Sequence, residues 1–237
     1  MKDLIDTTEM YLRTIFELEE EDIPPMRARI AERLGHSGPT VSQTIARMER
    51  DGLVSLGDDR RLVLSDEGRL LATRVMRKHR LAERLLADVI GLEWEHIHDE
   101  ACRWEHVMSE RVERKILAML PEHRESPYGT PIPGLDELLA DDEGPADDYL
   151  EGLSSLTDVV DSGLSGPFRV RRIGETAQED HEALELLTEA RLRPREVVRV
   201  TPEDDRIIVA RDGAAPSDAV SLPRDVAIHV FVEQIAP

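Results

Sequence analysis

The chain has 237 residues, of which 30 are basic and 50 acidic, so its formal net charge is −20. A single cysteine excludes a disulfide framework and indicates a reducing compartment, which predicts a cytoplasmic protein. The N-terminal stretch MKDLIDTTEM lacks the apolar run of a signal peptide, and no segment approaches the roughly 20 apolar residues of a membrane span. As a whole, this acidity also argues against nucleic-acid binding, because DNA phosphates repel a uniformly acidic surface.

The charge is unevenly distributed along the chain. Residues 126–165 contain ten acidic side chains and no basic one, which accounts for half of the excess. This stretch is rich in proline and glycine and includes the acidic run 141–143, so we predict a linker with a short helix near Leu135–Leu139. Residues 27–61, in contrast, hold seven arginines against five acids. This net-basic segment removes the objection to DNA binding.

The first 65 residues have the element order of a winged helix-turn-helix. An amphipathic helix begins at Thr7 or Thr8 and is stopped by Pro24 and Pro25. A short helix then ends at Gly35, where glycine is favoured after a helix. This short helix is Arg27–Leu34, and the remaining elements are a helix from the N-cap Ser37 to Gly52 and a hairpin of Leu53–Leu56 and Arg61–Leu64.

The helix that follows Ser37 has a polar face opposite its apolar stripe of Val41, Ile45 and Met48. Hydroxyls, amides and arginines contact base edges and phosphates in a major groove, although an ordinary solvated face looks similar. The polar residues of this face are Thr40, Ser42, Gln43, Thr44, Arg47 and Arg50. The predicted DNA-binding residues are Arg27, Ser37, Pro39, Thr40, Ser42, Gln43, Arg47, Arg50 and Arg60.

The rest of the chain is predicted to be two long helices followed by short strands. The first helix runs from Asp66 to Ile90 and is closed by Gly91, and the second runs from Trp94 or Glu95 to Leu120. Turn residues separate the strands, a pattern that fits a small β-barrel. The strands are predicted at Phe168–Ile173, Glu196–Val200, Arg206–Ala210 and Ala227–Val232, with a helix near Glu179–Glu189.

Potential metal ligands concentrate on the two long helices. His79 and Glu83 are spaced i, i+4, and His98, Cys102 and Glu105 form a stripe beside His106. Imidazole, thiolate and carboxylate within one turn favour transition metals over magnesium or calcium. Each residue alone is as readily explained by packing or by a solvated surface. A catalytic zinc site is an alternative, but no HExxH motif occurs.

Four segments form a further pattern: DTTEMYLRTIFELEEE, RARIAERLGHSGPTVSQTIARMERDGL, VMRKHRLAERLL and DEACRWEHVMS. They resemble, nearly residue for residue, the diphtheria toxin repressor family of iron-dependent transcriptional regulators. The resemblance is continuous over residues 1–137. It is weaker from residue 166 onward, where the longer members of the family carry an SH3-like third domain.

This resemblance implies two metal sites per subunit. The family's primary, activating site takes a methionine from the N-terminal helix, and the matching set is Met10, Cys102, Glu105 and His106. The ancillary set is His79, Glu83 and His98, completed by Glu175 and Gln178 of the segment GETAQED. An anion-binding position would match Arg80 and Ser126, although Thr130 stands where the family has asparagine.

The resemblance also suggests a switch. Our hypothesis is that Fe(II) binding draws residues 3–10 toward the helix predicted at 94–120, which removes a clash with DNA and orders the dimer. The expected partner is a palindromic operator bound by one or two homodimers, because one recognition helix covers only a half-site. Candidate residues for the dimer surface are Leu85, Leu86, Val89, Ile90 and Val107, some of which are expected to fill the subunit's own core.

The predicted fold is mainly α with β and has four parts. They are a winged helix-turn-helix DNA-binding domain at 1–65, a helical dimerisation and metal-binding domain at 66–137, an acidic flexible linker at 138–165 and an SH3-like β-barrel at 166–237. The predicted function is an Fe(II)-activated regulator, mainly a repressor, of iron homeostasis genes, and not an enzyme. Co(II), Ni(II), Mn(II) or Zn(II) are expected as surrogates.

Three alternatives remain open at this point. A manganese-responsive regulator of the same family is one, although such relatives usually carry a carboxylate where Cys102 stands, and the thiolate favours iron. A metal-dependent hydrolase or storage protein is another, and it would need an open coordination position and a base. A thiol-based redox sensor is the third, and it lacks a resolving cysteine.

Overall fold

The structure is a computed structural model that describes residues 6–139, 149–215 and 218–235. The acidic run 141–143 and the beginning of the segment 3–10 lie outside the described residues. None of the described helices is long and apolar enough to cross a membrane. The chain divides into two compact units. The first unit is Met1–Ala82, Glu100–Pro121 and Ile132–Ala146, and the second is Glu83–Asp99, Glu122–Pro131 and Asp147–Pro237.

The N-terminal part of the first unit is the predicted winged helix-turn-helix. Its elements are α1 (Thr7–Glu20), α2 (Arg27–Arg33), α3 (Gly38–Arg50) and an antiparallel hairpin of β1 (Val54–Leu56) and β2 (Leu62–Leu64). Asp6 caps α1 and Ser37 caps α3 by accepting backbone N–H groups. One buried core joins these elements, and it includes Leu12, Ile15, Ile30, Val41, Ile45, Met48, Val54 and Leu62.

The helix predicted from Asp66 to Ile90 is confirmed, with one irregularity. It consists of α4 (Asp66–Leu85) and a π-helical turn at Leu86–Ile90. Gly91 ends it in the left-handed conformation (φ 75°), which glycine adopts without steric cost.

The single helix predicted from Trp94 or Glu95 to Leu120 is wrong. The chain instead forms α5 (Trp94–Trp104) and α6 (Glu110–Leu117). The amides of Val107 and Met108 both bond to the carbonyl of Trp104, and Ser109 is then extended at φ −85° and ψ 154°. An extended residue cannot continue a helix, so Ser109 becomes the N-cap position of α6.

The linker predicted at 138–165 contains regular structure in its described part. Ser154–Ser155 is a short strand, β3, and Leu156–Asp161 is a helix, α7. Ser155 and Asp158 form a reciprocal capping box, and Leu156 is buried. Before it, the short helix predicted near Leu135–Leu139 is a 3₁₀ turn at Leu135–Glu137. The four domain boundaries stay a prediction.

The second unit is built around a six-stranded antiparallel sheet with the order β3-β8-β4-β5-β6-β7. Its further strands are β4 (Pro167–Ile173), β5 (Val197–Glu203), β6 (Arg206–Arg211), β7 (Val220–Pro223) and β8 (Val230–Gln234). The helices are α8 (Glu175–Glu179), α9 (His181–Glu189) and α10 (Arg224–Ala227). The strand predicted at Ala227–Val232 is displaced, because α10 occupies its start. The predicted C-terminal β-domain is confirmed as an antiparallel sheet, and its SH3-like classification stays a prediction.

Candidate functional site

Three of the predicted primary-site residues lie close together in the first unit, and we call Cys102, Glu105 and His106 the first cluster. Cys102 is on the last turn of α5, and Glu105 and His106 follow the end of that helix. Glu105 is almost fully buried, whereas Cys102 is partly exposed. His106 Nε2 lies 3.3 Å from Glu105 Oε1. The cluster therefore offers sulfur, carboxylate and imidazole ligands over one turn.

The first cluster also contacts the helix that carries Met10. Glu9 Oε2 of α1 lies 2.7 Å from His106 Nδ1, within hydrogen-bond distance. Arg13 of α1 reaches Cys102 and Glu105. Met10 lies between Glu9 and Arg13 in the sequence, on the same turn of α1, and is half-buried. The part of α1 that bears the fourth predicted ligand therefore packs against the cluster.

Arg13 bridges Cys102 and Glu105 of the first cluster. Its Nη1 donates to Cys102 Sγ at 3.1 Å and to both carboxylate oxygens of Glu105, at 3.1 and 2.8 Å. Its Nε donates to Glu17 Oε1 at 2.5 Å. Arg33 of α2 donates to the other oxygen of Glu17 at 3.3 Å. Sequence reasoning missed Arg13, although the spacing of Glu9, Arg13 and Glu17 by four residues marks a charged stripe along one face of the helix.

The charge state of Glu105 follows from these neighbours. Burial alone would raise the pKa of its carboxyl. The Arg13 guanidinium and then the hydrogen bond with His79 outweigh burial and lower the pKa of Glu105 to about 2. His79 Nδ1 lies 2.7 Å from Glu105 Oε2. Glu105 is thus a carboxylate at neutral pH, as a metal ligand must be.

His79 was predicted as an ancillary-site ligand beside Glu83. Both are on α4, and His79 lies one turn before Glu83. His79 is fully buried and directs Nδ1 to Glu105 of the first cluster.

The second unit holds the remaining four ancillary candidates, Glu83, His98, Glu175 and Gln178, which we call the second cluster. His98 Nδ1 lies 3.1 Å from Gln178 Oε1, 3.4 Å from Glu175 Oε2 and 3.5 Å from Glu83 Oε1. All four side chains are at most 2% exposed. The structure thus brings together residues that lie up to 95 positions apart, including the Glu-x-x-Gln pair of α8.

Neighbouring residues fix the second cluster in place. Gln178 donates through Nε2 to the carbonyl of Ile173 at 2.7 Å, which orients its amide oxygen toward His98. Tyr128 donates its hydroxyl to the carbonyl of Trp94 at 2.7 Å, at the start of the helix that carries His98. Burial, and then the nearby Glu83 carboxylate, raise the pKa of Tyr128, so this hydroxyl stays protonated.

Both clusters fit a divalent transition metal by the chemistry of their ligands. The ligand atoms of Glu83, His98 and Glu175 lie within 4.8 Å of one another. Two buried carboxylates at this distance repel unless a positive charge lies near them, from a protonated imidazole or from a cation. The first cluster adds a sulfur ligand, which favours iron, cobalt, nickel or zinc over calcium and magnesium.

The two predicted anion-binding residues are both buried and already have polar partners. Arg80 donates to both carboxylate oxygens of Glu20, at 2.8 and 2.6 Å. Ser126 Oγ lies 2.7 Å from Thr130 Oγ1, the residue that stands where the family has asparagine. Anion binding at these positions stays a prediction.

The predicted DNA-binding residues lie on the accessible side of the helix-turn-helix. Arg27 is half-buried and the others are exposed, namely Ser37, Pro39, Thr40, Ser42, Gln43, Arg47, Arg50 and Arg60. Thr44, which the sequence placed on the same polar face, is instead buried in the core at 9% exposure. Ser37 Oγ lies 2.8 Å from Thr40 Oγ1, which orders the start of α3. The accessible face of α3 therefore has the residue types that read a major groove.

The proposed dimer residues divide into buried and exposed ones. Leu86 is buried and fills the subunit's own core, and Leu85 is half-buried. Val89, Ile90 and Val107 are exposed, the last by 64%. Exposed aliphatic side chains are compatible with an interface, and their role stays a prediction.

Comparison with known proteins finds a matching family for two consecutive parts of the chain. Residues 3–62 match the N-terminal DNA-binding domain of iron-dependent repressors, and residues 65–134 match their metal-binding and dimerisation domain. The diphtheria toxin repressor of Corynebacterium diphtheriae is 51% identical over 237 residues, which cover 99% of this chain and 100% of that protein. The iron-dependent repressor IdeR of Mycobacterium tuberculosis is 52% identical over 237 residues, with the same coverage.

Solved structures agree with this fold over nearly the whole chain. A manganese-dependent transcriptional repressor in complex with manganese aligns with a TM-score of 0.78 and 28% identity, covering 97% of this chain and 100% of the other. The IdeR structure from T. acidophilum aligns with a TM-score of 0.74 and 25% identity, covering 97% and 99%.

Proposed function

The chain belongs to the iron-dependent repressor family, and on that premise we propose that Fe(II) is the metal that switches its binding to operator DNA. The family consists of transcriptional regulators with a DNA-binding domain and a metal-binding and dimerisation domain, so the chain is a regulator rather than an enzyme. Its proposed targets are iron homeostasis genes, which it mainly represses. A regulator of this kind acts in the cytoplasm, in keeping with its single cysteine.

The observation that carries this proposal is the position of Cys102 in the first cluster. Arg13 of α1 donates a hydrogen bond to Cys102 Sγ, and Glu105 and His106 follow Cys102 in the same cluster. A sulfur ligand beside imidazole and carboxylate favours iron over manganese. Cys102, Glu105 and His106, with Met10 from α1, would hold the metal of the primary site.

We further propose a second metal in the second cluster. Glu83, His98, Glu175 and Gln178 would hold it, together with His79 from the preceding turn of α4. The support is the convergence of three buried side-chain oxygens on His98 Nδ1. Fe(II) would occupy both sites of a subunit, and Co(II), Ni(II), Mn(II) or Zn(II) would be surrogates.

The residues of the chain couple the primary site to DNA binding through α1. A bound cation would supply the positive charge and the ligand bonds that hold α1 against the end of α5. Met10 lies on the helix that precedes α2 and α3, so its engagement fixes the orientation of the helix-turn-helix. Binding shifts this equilibrium only by the difference in metal affinity between the two states, typically about 1–3 kcal/mol.

The proposed DNA target is a palindromic operator bound by one or two homodimers. Arg47 and Arg50 at the end of α3 would contact phosphates, and Ser42 and Gln43 would contact base edges. A helix-turn-helix subunit covers one half-site, so a two-fold symmetric dimer requires two inverted half-sites.

A manganese-responsive regulator is the second candidate, because a structural neighbour is a manganese-dependent repressor in complex with manganese. A titration of DNA binding, performed without oxygen, separates the two. Duplexes are first selected from a random-sequence pool with Fe(II)-loaded protein and then titrated with the protein loaded with Fe(II), Mn(II) or Zn(II). The proposal expects an Fe(II)-dependent rise in affinity at submillimolar metal. Equal affinity with and without Fe(II) would refute it, and a response to Mn(II) alone would support the second candidate.

A further inference from the structure

We propose that Arg13 is the internal cation of the first cluster when no metal is bound, and that its guanidinium must release Cys102 and Glu105 before metal binds there. Arg13 would thereby lower the metal affinity of the primary site and set the concentration at which the protein responds. This inference rests on the proposed function of the first cluster as a metal site.

The geometry of the hydrogen bonds carries the proposal. Arg13 Nη1 lies between Cys102 Sγ and the two oxygens of Glu105, at 3.1, 3.1 and 2.8 Å. These are atoms that a metal ion at the cluster would take as ligands. A group that donates to the same lone pairs excludes the metal from them, so the guanidinium and the metal compete for one position.

The charge of Arg13 opposes the metal in the same way. The arginine side chain is 7% exposed and that of Glu105 is 1% exposed. A guanidinium is not deprotonated in proteins, so it cannot make room by losing its charge. Because two positive charges repel strongly in such a buried place, binding of a divalent ion at Glu105 requires Nη1 to move away.

Glu17 provides a place for the displaced guanidinium. Arg13 Nε bonds to Glu17 Oε1 at 2.5 Å, four residues along the same helix. This contact uses the edge of the guanidinium that does not face the cluster. Arg13 therefore can withdraw Nη1 by rotating about its side chain while it keeps the partner that neutralises it. The structure thus places Arg13, which competes for the metal site, next to the Glu17 carboxylate, which still binds the guanidinium after it is displaced.

The alternative role for Arg13 is to stabilise the metal-bound arrangement of Glu105. It would hold Glu105 in position by a hydrogen bond that persists when metal is bound, as residues around metal ligands commonly do. The two roles predict opposite signs: loss of a competitor strengthens metal binding, and loss of a support weakens it.

The test is a chelator-competition titration of the full-length, metal-free protein with Co(II), followed by the thiolate-to-cobalt absorption that reports on Cys102 alone. The variant is Arg13→Gln combined with Glu17→Gln, which removes the arginine together with the carboxylate that it shares with Arg33, so Arg33 loses this partner equally in the variant and in its control. Glu17→Gln alone is the matched control. We expect the double variant to bind Co(II) about tenfold or more tightly than the control, since charge-assisted hydrogen bonds to both ligands no longer compete.

A second measurement separates a change in metal affinity from a loss of stability in the variant. The melting temperature of each protein is measured with and without Co(II), and the rise on Co(II) addition is expected to be larger in the double variant than in Glu17→Gln. Equal or weaker Co(II) binding by the double variant, with an equal or smaller rise, would overturn the role of Arg13. A wild-type protein with no thiolate-to-cobalt absorption would refute the proposed primary site itself, which is a distinguishable failure.

Discussion

The first and second clusters use similar ligands but hold them with different partners. In the first, Arg13 bridges Cys102 and Glu105 with a permanent positive charge. In the second, His98 lies between Glu83 and Glu175, and its Nδ1 is 3.5 and 3.4 Å from their carboxylate oxygens. The first cluster has a partly exposed cysteine, whereas the four residues of the second are buried. On the proposed function, the first cluster is the responsive site and the second stabilises its own unit.

The largest expected effect is on DNA affinity, and it distinguishes the first cluster from the second. Substituting Cys102→Ala is expected to abolish the Fe(II)-dependent gain in DNA affinity, because it removes the sulfur ligand of the proposed primary site. The measurement is an anaerobic binding titration on the selected duplex. Arg103→Ala is the matched control, since Arg103 is an exposed neighbour on α5 and its variant should respond normally. A normal Fe(II) response of Cys102→Ala would remove the functional contrast between the clusters.

The next effect concerns the pH dependence of stability in the metal-free protein. The pKa of Glu105 is lowered from 4.5 to about 2, so its contribution is present above pH 4.5 and is lost as the pH falls through 2. This contribution is about 3 kcal/mol. Denaturant unfolding with a chelator present should show the decline in wild-type protein and a smaller one in Glu105→Gln. Equal declines in both would show that the arginine does not stabilise this carboxylate.

A smaller effect is expected when the second cluster loses ligands. Glu175→Ala with Gln178→Ala should weaken the binding of the second Co(II) equivalent by about tenfold or more, the size typical of altered metal surroundings. The thiolate-to-cobalt absorption of the first equivalent should remain. Isothermal titration with a competing chelator resolves the two equivalents. If the thiolate absorption disappears together with the second equivalent, the two clusters are not separable and the comparison fails.

The smallest effect tests the support of the second cluster. Tyr128→Phe removes the buried hydrogen bond to the Trp94 carbonyl, at an expected cost of about 1 kcal/mol in the free energy of unfolding. The affinity for the first Co(II) equivalent should be unchanged. Denaturant unfolding and the absorption titration together check this. A changed affinity for the first Co(II) equivalent would mean that Tyr128 also stabilises the first cluster.

Local structure could be predicted well from the sequence. The caps at Ser37 and Gly91 and the apolar stripe of α3 are local signals, and α3 begins after Ser37 and the long helix ends at Gly91 as expected. The stripe of Cys102 and Glu105 also follows from helical spacing alone. The break between α5 and α6 was missed because the amphipathic pattern continues through it, although Ser109 before Glu110 is an N-cap signal.

Contacts between distant residues could not be predicted in the same way. Arg13 and Cys102 are 89 positions apart, and no local pattern reveals that the guanidinium reaches the sulfur. The strands β3 and β7 were missed because they are only two and four residues long, too short to show alternation, so their pairing depends on neighbours in the sheet. Membership of Glu175 and Gln178 in the second cluster came from the resemblance to a family and not from spacing.

Binding of Fe(II) by Cys102 is tested most directly by the iron X-ray absorption spectrum of the anaerobic protein loaded with two equivalents of Fe(II), which fill both proposed sites. We expect sulfur in the first coordination shell of iron, from Cys102 and from Met10, and a smaller sulfur contribution in Cys102→Ala. A first shell of nitrogen and oxygen alone in the wild-type protein would contradict the proposed primary site.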